Sequence, residues 1–548
     1  MASPRLLLFV ALAVAAPARV AAAAGPCDCD HVIDPSTPSA NGADLGVSPG
    51  DSVCVAGGQR EFLRLYEFVG TEEAPIEIRN CEGVVAIDND DRGYGLTVDE
   101  SAFFHITGTG DDAYEYGFTV RAARTGPDYS ASGVIVAGLS TDYELDHFEV
   151  YETGFAGFNL KTEPRCDGSA NLGAFVQRNS RVHHHYIHDT GGEGVYFGST
   201  GYGGREYDCD GVPTLLYPHE HHGVWLHDLR IERTGWDGLQ VGVSPMDCHV
   251  YNNTIHDVGL EGVEYQTQGI QIGGGSACEI YGNDVRRGPA MGIIILNAQD
   301  TEVYNNIFWE IGVDGIYANN NDEFPEASYR FAHNTIGLTG HNGITMFADE
   351  LSGNIIANNL IVGVAEAPVA YAAGELLEQD NLSFQSPDEV GFVDAAAGDL
   401  HLLADAAPVD AAAPLPGFVI DDDLDGVARD AAPDAGALEY TEPDPGTTTG
   451  DSDSTTGDSD STTGDSDGTT GPGTSSSGGD SDGTTAGSDG TSGTGGTSGD
   501  AGGTTDGGSD SGGGGEDGDA GCGCRADERG ASGLLLLVAL GLVRRRRR

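Results

Sequence analysis

A short sequence motif recurs through residues 181–363, and its period constrains the fold more than any other feature of the chain. Its first half is an asparagine with an apolar residue three positions before it and another two positions after it. These asparagines recur every 23 to 30 residues, at Asn253, Asn283, Asn306, Asn334 and Asn359. Its second half is Gly-x-x-Gly followed by alternating apolar residues, as at 235–238 and 312–315. A period of this length indicates a solenoid or another repeat array.

The repeat predicts an all-β fold, a single-stranded right-handed parallel β-helix. Each coil would bond to the coils above and below it, about 4.8 Å away. We expect the glycines to allow positive-φ turns between the sheets, and each asparagine to bond its own backbone and the next asparagine. Inward apolar residues should stack into one buried column, formed by Ile255, Val285, Phe308, Ile336 and Ile361.

These motifs resemble the pectate-lyase-like family of parallel β-helix repeat proteins over roughly residues 45–440. The resemblance implies the fold. It does not imply one activity, because the family includes lyases, hydrolases, adhesins and non-catalytic surface proteins. We therefore predict a β-helix domain over residues 25–440, whose segment 391–440 closes the last coil and returns a strand along the barrel.

The two ends of the chain have other compositions. Residues 1–24 combine Arg5, an apolar stretch and an alanine-rich cleavage site, which is typical of a secretory signal peptide. Residues 441–520 are rich in Gly, Ser, Thr and Asp and hold too few apolar residues to fold, so we expect a disordered linker. Residues 521–548 contain a short apolar stretch that predicts a helix too short to span a bilayer.

The C-terminal tail also carries Cys522 and Cys524 before the apolar stretch and an arginine run after it. This order resembles the sorting tail of myxobacterial surface proteins, which a sortase-like membrane protease processes near the cysteines. The resemblance implies export and either anchoring at the outer cell surface or extracellular release. A degenerate membrane anchor is the alternative interpretation of the same residues.

The net charge of −61 argues against nucleic acid and anionic membranes as partners. The cysteines and the export signal together predict disulfides. Aligning the coils places Cys248 and Cys278 in nearly the same column, and Cys166 and Cys209 fall in long insertions of neighbouring coils. We predict these two pairs and, on weaker grounds, a bond between Cys54 and Cys81. Stacked free thiols are the alternative.

Two long insertions, 161–178 and 199–222, leave the same edge of the solenoid and suggest a cleft. Loops on a rigid scaffold often carry function, and carboxylates, histidines and aromatic rings in one groove suit sugar recognition and acid–base chemistry. Packing of the loops and solvation of the acids would be the purely structural explanation. The candidate catalytic residues are Lys161, Glu193 and Asp237, and the candidate substrate-binding residues are Arg165, Tyr196, Trp236, Gln240, His219 and His222.

Further acidic and histidine patterns are open to two interpretations. The carboxylates Asp421, Asp423 and Asp425 precede a glycine as in the first half of a calcium loop, so Ca²⁺ is the one cofactor we consider; an acidic surface turn is the alternative. His188, Glu232 and His256 form one outward column, which we interpret as structural rather than metal-binding. The next column, Asp189, Arg233 and Asp257, predicts a salt-bridge ladder.

Two functions fit the sequence. The first is an exported, surface-displayed β-helix that binds or processes polysaccharide in the insertion cleft, as a polysaccharide lyase or glycoside hydrolase if it is an enzyme. The second is a non-catalytic adhesin or recognition protein on a long tether. Lys161 is the single lysine of the chain and would be the base of a lyase, but no catalytic motif of the family surrounds it.

Overall fold

The structure, a computed structural model, describes residues 27–123, 130–320, 324–348 and 351–442. These residues belong to one compact unit of the chain. The predicted signal peptide and sorting tail lie outside the described residues, as does the predicted linker apart from residues 441 and 442. Within the described ranges, no helix is long and apolar enough to cross a membrane.

Nearly all regular structure in these ranges is β-strand. The strands of the first half are β1 (His31–Ile33), β2 (Ser39–Asn41), β3 (Ser52–Arg60), β4 (Leu63–Tyr66), β5 (Ile76–Asn89), β6 (Tyr94–Asp99), β7 (Ala102–Thr107), β8 (Phe118–Ala122), β9 (Ser132–Val136), β10 (Thr141–Asp146), β11 (Phe148–Tyr151), β12 (Phe158–Leu160), β13 (Val176–His183), β14 (Tyr186–Thr190), β15 (Val195–Phe197), β16 (Arg205–Cys209), β17 (Val212–Leu216), β18 (Glu220–His227), β19 (Arg230–Thr234) and β20 (Leu239–Val241). The strands of the second half are β21 (Met246–Tyr251), β22 (Thr254–His256), β23 (Ile270–Ile272), β24 (Cys278–Tyr281), β25 (Asp284–Gly288), β26 (Ile293–Leu296), β27 (Thr301–Tyr304), β28 (Ile307–Ile311), β29 (Ile316–Asn319), β30 (Tyr329–Ala332), β31 (Thr335–Gly337), β32 (Ile344–Ala348), β33 (Asn354–Ala357), β34 (Leu360–Val362), β35 (Val369–Ala373), β36 (Leu376–Gln379), β37 (Leu382–Phe384), β38 (Phe392–Asp394) and β39 (Asp399–Leu402). The helical elements are the one-turn helix α1 (Gly42–Leu45) and a 3₁₀ turn (Pro387–Glu389).

Two long parallel sheets wind around the core. Within the described residues, sheet A has 23 strands, and sheet B has the 12 strands β2, β4, β6, β9, β12, β15, β20, β23, β26, β29, β32 and β35. A regular coil gives two consecutive strands to sheet A and one to sheet B, as β24, β25 and β26 do. The register runs from coil to coil, with Val250 beside Ile280 and Ile280 beside Val303. The winding confirms the predicted parallel β-helix.

The core is a continuous stack of inward apolar side chains. None of the residues in the predicted inward column is more than 1% exposed. Burial of such a side chain contributes roughly 1.5–3 kcal/mol, so the repetition of this column makes it the main source of stability. In the earlier coils, Phe118 and Phe148 stack with ring centroids 4.7 Å apart and continue the core.

The asparagine column forms the predicted ladder. The Asn283 side-chain amide donates to Asn306 Oδ1 at 2.9 Å and to the Val250 carbonyl of the preceding coil at 2.9 Å. Asn306 bonds to Asn334 in the same way, at 3.0 Å. The ladder extends one coil beyond the predicted set, because Asn359 donates to Asn381 at 2.8 Å.

The role predicted for the Gly-x-x-Gly glycines is wrong. Their φ angles are not positive, and left-handed turns fall instead on residues such as His184, Asp228 and Asn252, with φ between 51° and 54°. The glycines are required by close approach between coils. A Cβ on Gly238 would lie 2.6 Å from the carbonyl oxygen of Gly269, which is too close for any other residue.

The predicted closing segment, 391–440, lies along the outer face of sheet A. It begins with the antiparallel hairpin β38–β39, and its later part has no strand within the described residues, contrary to the prediction of a returning strand. The backbone N–H of Ala437 donates to Thr335 Oγ1 at 2.9 Å, and Asn305 donates to the Asp422 carbonyl at 2.6 Å. Polar groups of the coils therefore hold the segment in place.

Candidate functional site

Two insertions interrupt the coils where the sequence predicts them. The first runs from the end of β12 to the start of β13, and the second runs from β15 to β18 and contains the hairpin β16–β17. The predicted bounds 161–178 and 199–222 therefore extend a few residues into strands β13 and β18. A hairpin inside the second insertion gives it a defined shape of its own.

A disulfide between Cys166 and Cys209 joins the two insertions, with Cα atoms 5.5 Å apart. A second disulfide joins Cys248 and Cys278, which are paired in register on adjacent coils. Both predicted bonds are confirmed. The first of them fixes the distance between the two loops that border the candidate site.

The predicted bond between Cys54 and Cys81 is wrong. Cys54 bonds to Cys29, and Cys81 bonds to Cys27. In the register of the two strands, Cys54 lies opposite Arg79, two residues short of Cys81. This offset keeps the two thiols apart, and the N-terminal segment supplies a partner for each.

Lys161 lies at the base of the first insertion and is nearly buried. Its Nζ is 2.8 Å from Glu163 Oε1 and 3.9 Å from the ring centroid of Tyr196. Burial alone would lower the pKa of Lys161, but Tyr196 and Glu163 outweigh burial and raise it. Glu163 also accepts a hydrogen bond from the Tyr207 hydroxyl at 3.1 Å. This environment favours a fixed ammonium ion over a free base.

Glu193 and Asp237 precede β15 and β20 on consecutive coils, and the N–H of Gly194 donates to the Asp237 carbonyl at 3.1 Å. Their side chains are buried, with 2% and 0% of each residue exposed. Burial raises the pKa of Glu193 to about 7. Burial, together with the charge of Glu193, raises the pKa of Asp237 well above its usual range. Near neutral pH the pair can therefore hold protons.

Aromatic and amide side chains adjoin this acid pair. The ring of Phe155 makes edge contacts with both Tyr196 and Trp236, at centroid distances of 6.0 and 5.5 Å. Gln240 is the register partner of Tyr196 on the outer face of sheet B and is 1% exposed. The structure thus places five predicted residues together with Lys161 on one face of the solenoid.

Several buried polar atoms on this face have no hydrogen-bond partner. Most buried polar groups in proteins are paired, so a group of unpaired atoms on adjacent coils is unusual. The unpaired atoms are Asn159 Oδ1, Glu193 Oε2, Trp236 Nε1, Asp237 Oδ2 and Gln240 Nε2. They include donors and acceptors, which suits a ligand that offers both.

The other predicted binding residues lie in different settings. Arg165 is half-buried in the first insertion. His219 accepts a hydrogen bond from the N–H of Thr162 at 3.3 Å, and burial lowers its pKa. His222 is on strand β18 of sheet A, where its Nε2 lies 2.9 Å from Glu220 Oε2. The structure therefore places His222 on the other sheet, because β18 starts earlier than the predicted end of the loop.

The aspartates of the predicted calcium loop are engaged in other contacts. Asp423 Oδ1 accepts hydrogen bonds from the N–H groups of Asp425 and Val427 at 2.9 and 2.8 Å. Asp425 Oδ2 lies 2.7 Å from His401 Nε2, and the oxygens of Asp421, Asp423 and Asp425 do not gather within 4.8 Å of one another. This arrangement does not fit a three-carboxylate calcium site, and bound calcium stays a prediction.

The two outward columns that begin at His188 and Asp189 make contacts within the solenoid, as predicted. Glu232 lies in register between His188 and His256. In the adjacent column, Arg233 donates two hydrogen bonds to Asp189, at 2.8 and 2.9 Å, whereas Asp257 pairs with Arg287 of the next coil, at 2.7 and 2.9 Å, and not with Arg233. These contacts tie neighbouring coils together.

The structure also reveals a cluster that no sequence pattern predicts. His105, Glu144, Asp146 and His183 converge on the outer face of sheet A, on three successive coils. The available signal was the run of three histidines that begins at His183. Without a regular period in the first coils, the register with His105 could not be established from sequence.

A family model described as a right-handed β-helix region matches residues 216–381. A search of curated proteins found no match. Among solved structures, the chain is similar to a GH136 lacto-N-biosidase from Eubacterium ramulus, with 14% identity and a TM-score of 0.46, covering 62% of this chain and 63% of that one. It is also similar to pectate lyase Pel9A, with 12% identity and a TM-score of 0.44, covering 75% of this chain and 96% of the lyase.

A third similar structure is an alginate lyase from a Paenibacillus species, with 16% identity, a TM-score of 0.28, and coverage of 64% of this chain and 98% of the lyase. This chain spans less than two thirds of the lacto-N-biosidase. The activities in these names are those of the similar proteins. The stacked coils of the structure and the matched region together identify this chain, in its fold, as a right-handed parallel β-helix protein.

Proposed function

We propose that the protein binds or processes a polysaccharide on the outer face of sheet B, beside the loops 161–178 and 199–222. The observation that carries the proposal is the group of five buried, unpaired polar atoms on this face. Leaving a buried polar atom unpaired costs about 1–3 kcal/mol. Sugar hydroxyl groups both donate and accept hydrogen bonds, so a sugar chain that displaces the groups covering these atoms could pair with the carboxyl, amide and indole groups.

The aromatic rings support the same ligand class. Phe155, Tyr196 and Trp236 form a cluster of contacting rings next to the unpaired atoms, of which Phe155 and Trp236 are partly exposed. Ligand sites commonly combine such surfaces with a few polar groups that fix orientation. The C–H faces of a sugar ring suit the aromatic surface, and its hydroxyls suit the polar groups beside it.

If the protein is an enzyme, the site favours hydrolysis over elimination. A glycoside hydrolase needs a carboxyl group that is protonated near neutral pH to act on the leaving oxygen, and Glu193, with a pKa of about 7, has this property. The second carboxyl of a hydrolase must be ionised, and the neighbouring Asp237, one coil or about 4.8 Å away, can take this role only above its raised pKa. A lyase would need a base, and Lys161 is held as a cation by Glu163.

A non-catalytic recognition protein is the second candidate. The near-complete burial of Glu193 and Asp237 favours it, because a scissile bond can reach these carboxyls only if the covering groups move. Binding at the margin of the site, near Trp236 and Arg165, needs no such movement, because both side chains are partly exposed.

Export and surface display are also part of the proposal. They depend on the sequence of the signal peptide 1–24 and of the tail with Cys522 and Cys524. A sortase-like processing protease would be the partner of this tail. Mass spectrometry of protein recovered from cells would show removal of both segments, whereas a chain that retains residues 1–24 would contradict export by this route.

The test of glycan function uses the full chain and a panel of neutral and acidic polysaccharides, with and without a calcium chelator. Retention on each polysaccharide and shortening of its chains are measured separately. Glu193→Gln should abolish any cleavage and keep retention, because the amide cannot supply a proton. Trp236→Ala should weaken retention about tenfold, since it removes an aromatic contact.

Trp225→Ala is the matched control. Trp225 lies on sheet A and is covered by the Arg181 guanidinium, 4.1 Å from its ring centroid, so its loss should leave retention unchanged. Retention without cleavage would establish the recognition protein. Absence of both, or equal weakening by the two tryptophan substitutions, would refute the site.

A further inference from the structure

The outer face of sheet A carries metal-ligating side chains on three successive coils. His105 on β7 is the register partner of Glu144 on β10, and Asp146 on β10 is the partner of His183 on β13. One ligand atom each from His105, Glu144 and Asp146 lies within 4.8 Å of the other two. Within the described residues, this is the one group of His, Cys, Asp and Glu side chains that meets this condition.

The four side chains already contact one another in pairs. His105 Nε2 is bonded to Asp146 Oδ2, and His183 Nε2 lies 3.0 Å from Glu144 Oε1. In each pair, a hydrogen bond joins an imidazole nitrogen to a carboxylate oxygen. A cation placed among the ligand atoms of His105, Glu144 and Asp146 could replace the protons of these hydrogen bonds, since metal binding requires deprotonated ligands.

Neighbouring residues fix the buried carboxylate. Asp146 Oδ1 accepts a hydrogen bond from Thr107 Oγ1 at 2.5 Å and lies 2.6 Å from His147 Nδ1. Its other oxygen thus faces His105. Outer groups that orient the ligands in this way are typical of metal sites.

We propose that His105, Glu144 and Asp146 bind one divalent first-row transition-metal ion such as Zn²⁺, with His183 beside Glu144 at the edge of the site. Imidazole nitrogens favour Zn²⁺ and related ions over Ca²⁺ and Mg²⁺, and carboxylate oxygens complete a mixed ligand set. The site opens to solvent, because the His105 and Glu144 side chains are 32% and 37% exposed whereas Asp146 is 5% exposed. An incoming ion therefore has a path to a buried anionic ligand.

The charge of the whole chain supports cation binding. A net charge of −61 raises the concentration of cations near the surface. Ordinary histidine–carboxylate salt bridges occur elsewhere on the same sheet, which gives an internal comparison. His249 lies further along the His105 column, 2.9 Å from Asp247 Oδ1 and 3.6 Å from Glu279 Oε2, but this trio does not gather as closely.

The experiment uses the tag-free full chain, stripped with a chelator and dialysed. Zn²⁺ alone is titrated by calorimetry, and bound zinc is counted by elemental analysis. We expect one equivalent to bind wild type. His105→Gln and Glu144→Gln should each weaken binding at least about tenfold, which corresponds to roughly 1.4 kcal/mol, whereas His249→Gln should bind as wild type does.

Thermal unfolding without metal checks that each variant is folded. If His105→Gln does not fold, Glu144→Gln still tests the site, because the Glu144 side chain is exposed. Co²⁺ in place of Zn²⁺ gives a second readout, because its visible spectrum reports nitrogen and oxygen coordination. The spectrum should appear in wild type and His249→Gln and weaken in the two site variants. Equal zinc content in wild type and in folded Glu144→Gln, or no bound zinc in wild type, would overturn the proposal.

Discussion

Glu193 and Asp146 are both buried acids, yet their surroundings move their pKa values in opposite directions. Burial raises the pKa of Glu193 to about 7, and its Oε2 has no hydrogen-bond partner. Burial acts in the same direction on Asp146, but hydrogen bonds from His105, His147 and Thr107 outweigh it and lower the pKa. The hydrogen-bond donors around each carboxyl therefore decide which one carries a proton and which can hold a cation.

Replacing Glu193 should change how stability depends on pH. The native pKa of about 7 lies above the ordinary value of 4.5, so the native state keeps a proton that the unfolded state has released. The stabilising contribution is complete below about pH 4.5 and is lost as the pH rises through about 7. In Glu193→Gln, the free energy of unfolding measured with urea should decrease less across this pH range than it does in wild type. The difference should be on the order of 3 kcal/mol.

Glu378→Gln provides the comparison, because Glu378 is an exposed residue of strand β36. This variant should lose stability with rising pH as the wild type does. If Glu193→Gln follows the wild-type curve as well, then Glu193 is not protonated in the native state, and its assignment as a proton donor fails with it.

At the scale of elements, the asparagine ladder links the coils at each turn. Asn306 is fully buried, accepts hydrogen bonds from Asn283 and donates to Asn334 and to the Ile280 carbonyl. Asn306→Ala leaves several of these partners unpaired at about 1–3 kcal/mol each. We expect the free energy of unfolding to decrease by about 3 kcal/mol or more, measured by urea denaturation.

Asn381 is the last member of the ladder and is half-buried. Water can reach the partners left by Asn381→Ala, so this substitution should cost about 1 kcal/mol. Equal losses for the two variants would mean that the ladder does not depend on burial for its strength.

The regular coils were predictable because one period fixes register and direction together. The asparagine column and the bond between Cys248 and Cys278 follow from aligning neighbouring repeats. The same alignment does not distinguish a glycine that needs positive φ from one that needs close approach, so it cannot predict the role of Gly238. That distinction depends on the next coil, which a sequence motif does not contain.

The candidate sites were less predictable for related reasons. Glu193, Asp237 and Trp236 were found because they depart from a regular repeat, but their burial depends on how neighbouring segments cover them. The cluster of His105 and Asp146 lies in coils without a regular period, where their contact across 41 residues leaves no sequence pattern. The sequence does not predict the position of His222, because the insertion ends in a strand with no break in composition.

At the scale of the whole molecule, the solenoid separates two chemistries on two faces. The unpaired groups around Glu193 and Trp236 lie on the outer face of sheet B, and the cluster around His105 and Asp146 lies on the outer face of sheet A. In a solenoid each coil contacts mainly its neighbours. Substitutions on one face should therefore leave the other function intact, which allows the two proposals to be tested independently.

The charge of the whole chain predicts which polysaccharides it retains. The net charge is −61, and the single lysine, Lys161, is neutralised by Glu163. Retention of a neutral polysaccharide should change little between about 0.1 M and about 1 M NaCl, where the screening length falls from about 10 Å to about 3 Å. A polyuronate should be repelled at the lower salt and bind better at the higher, as measured by affinity electrophoresis. Tighter polyuronate binding at low salt that persists with a chelator would instead require basic groups, such as Arg165, to dominate the site.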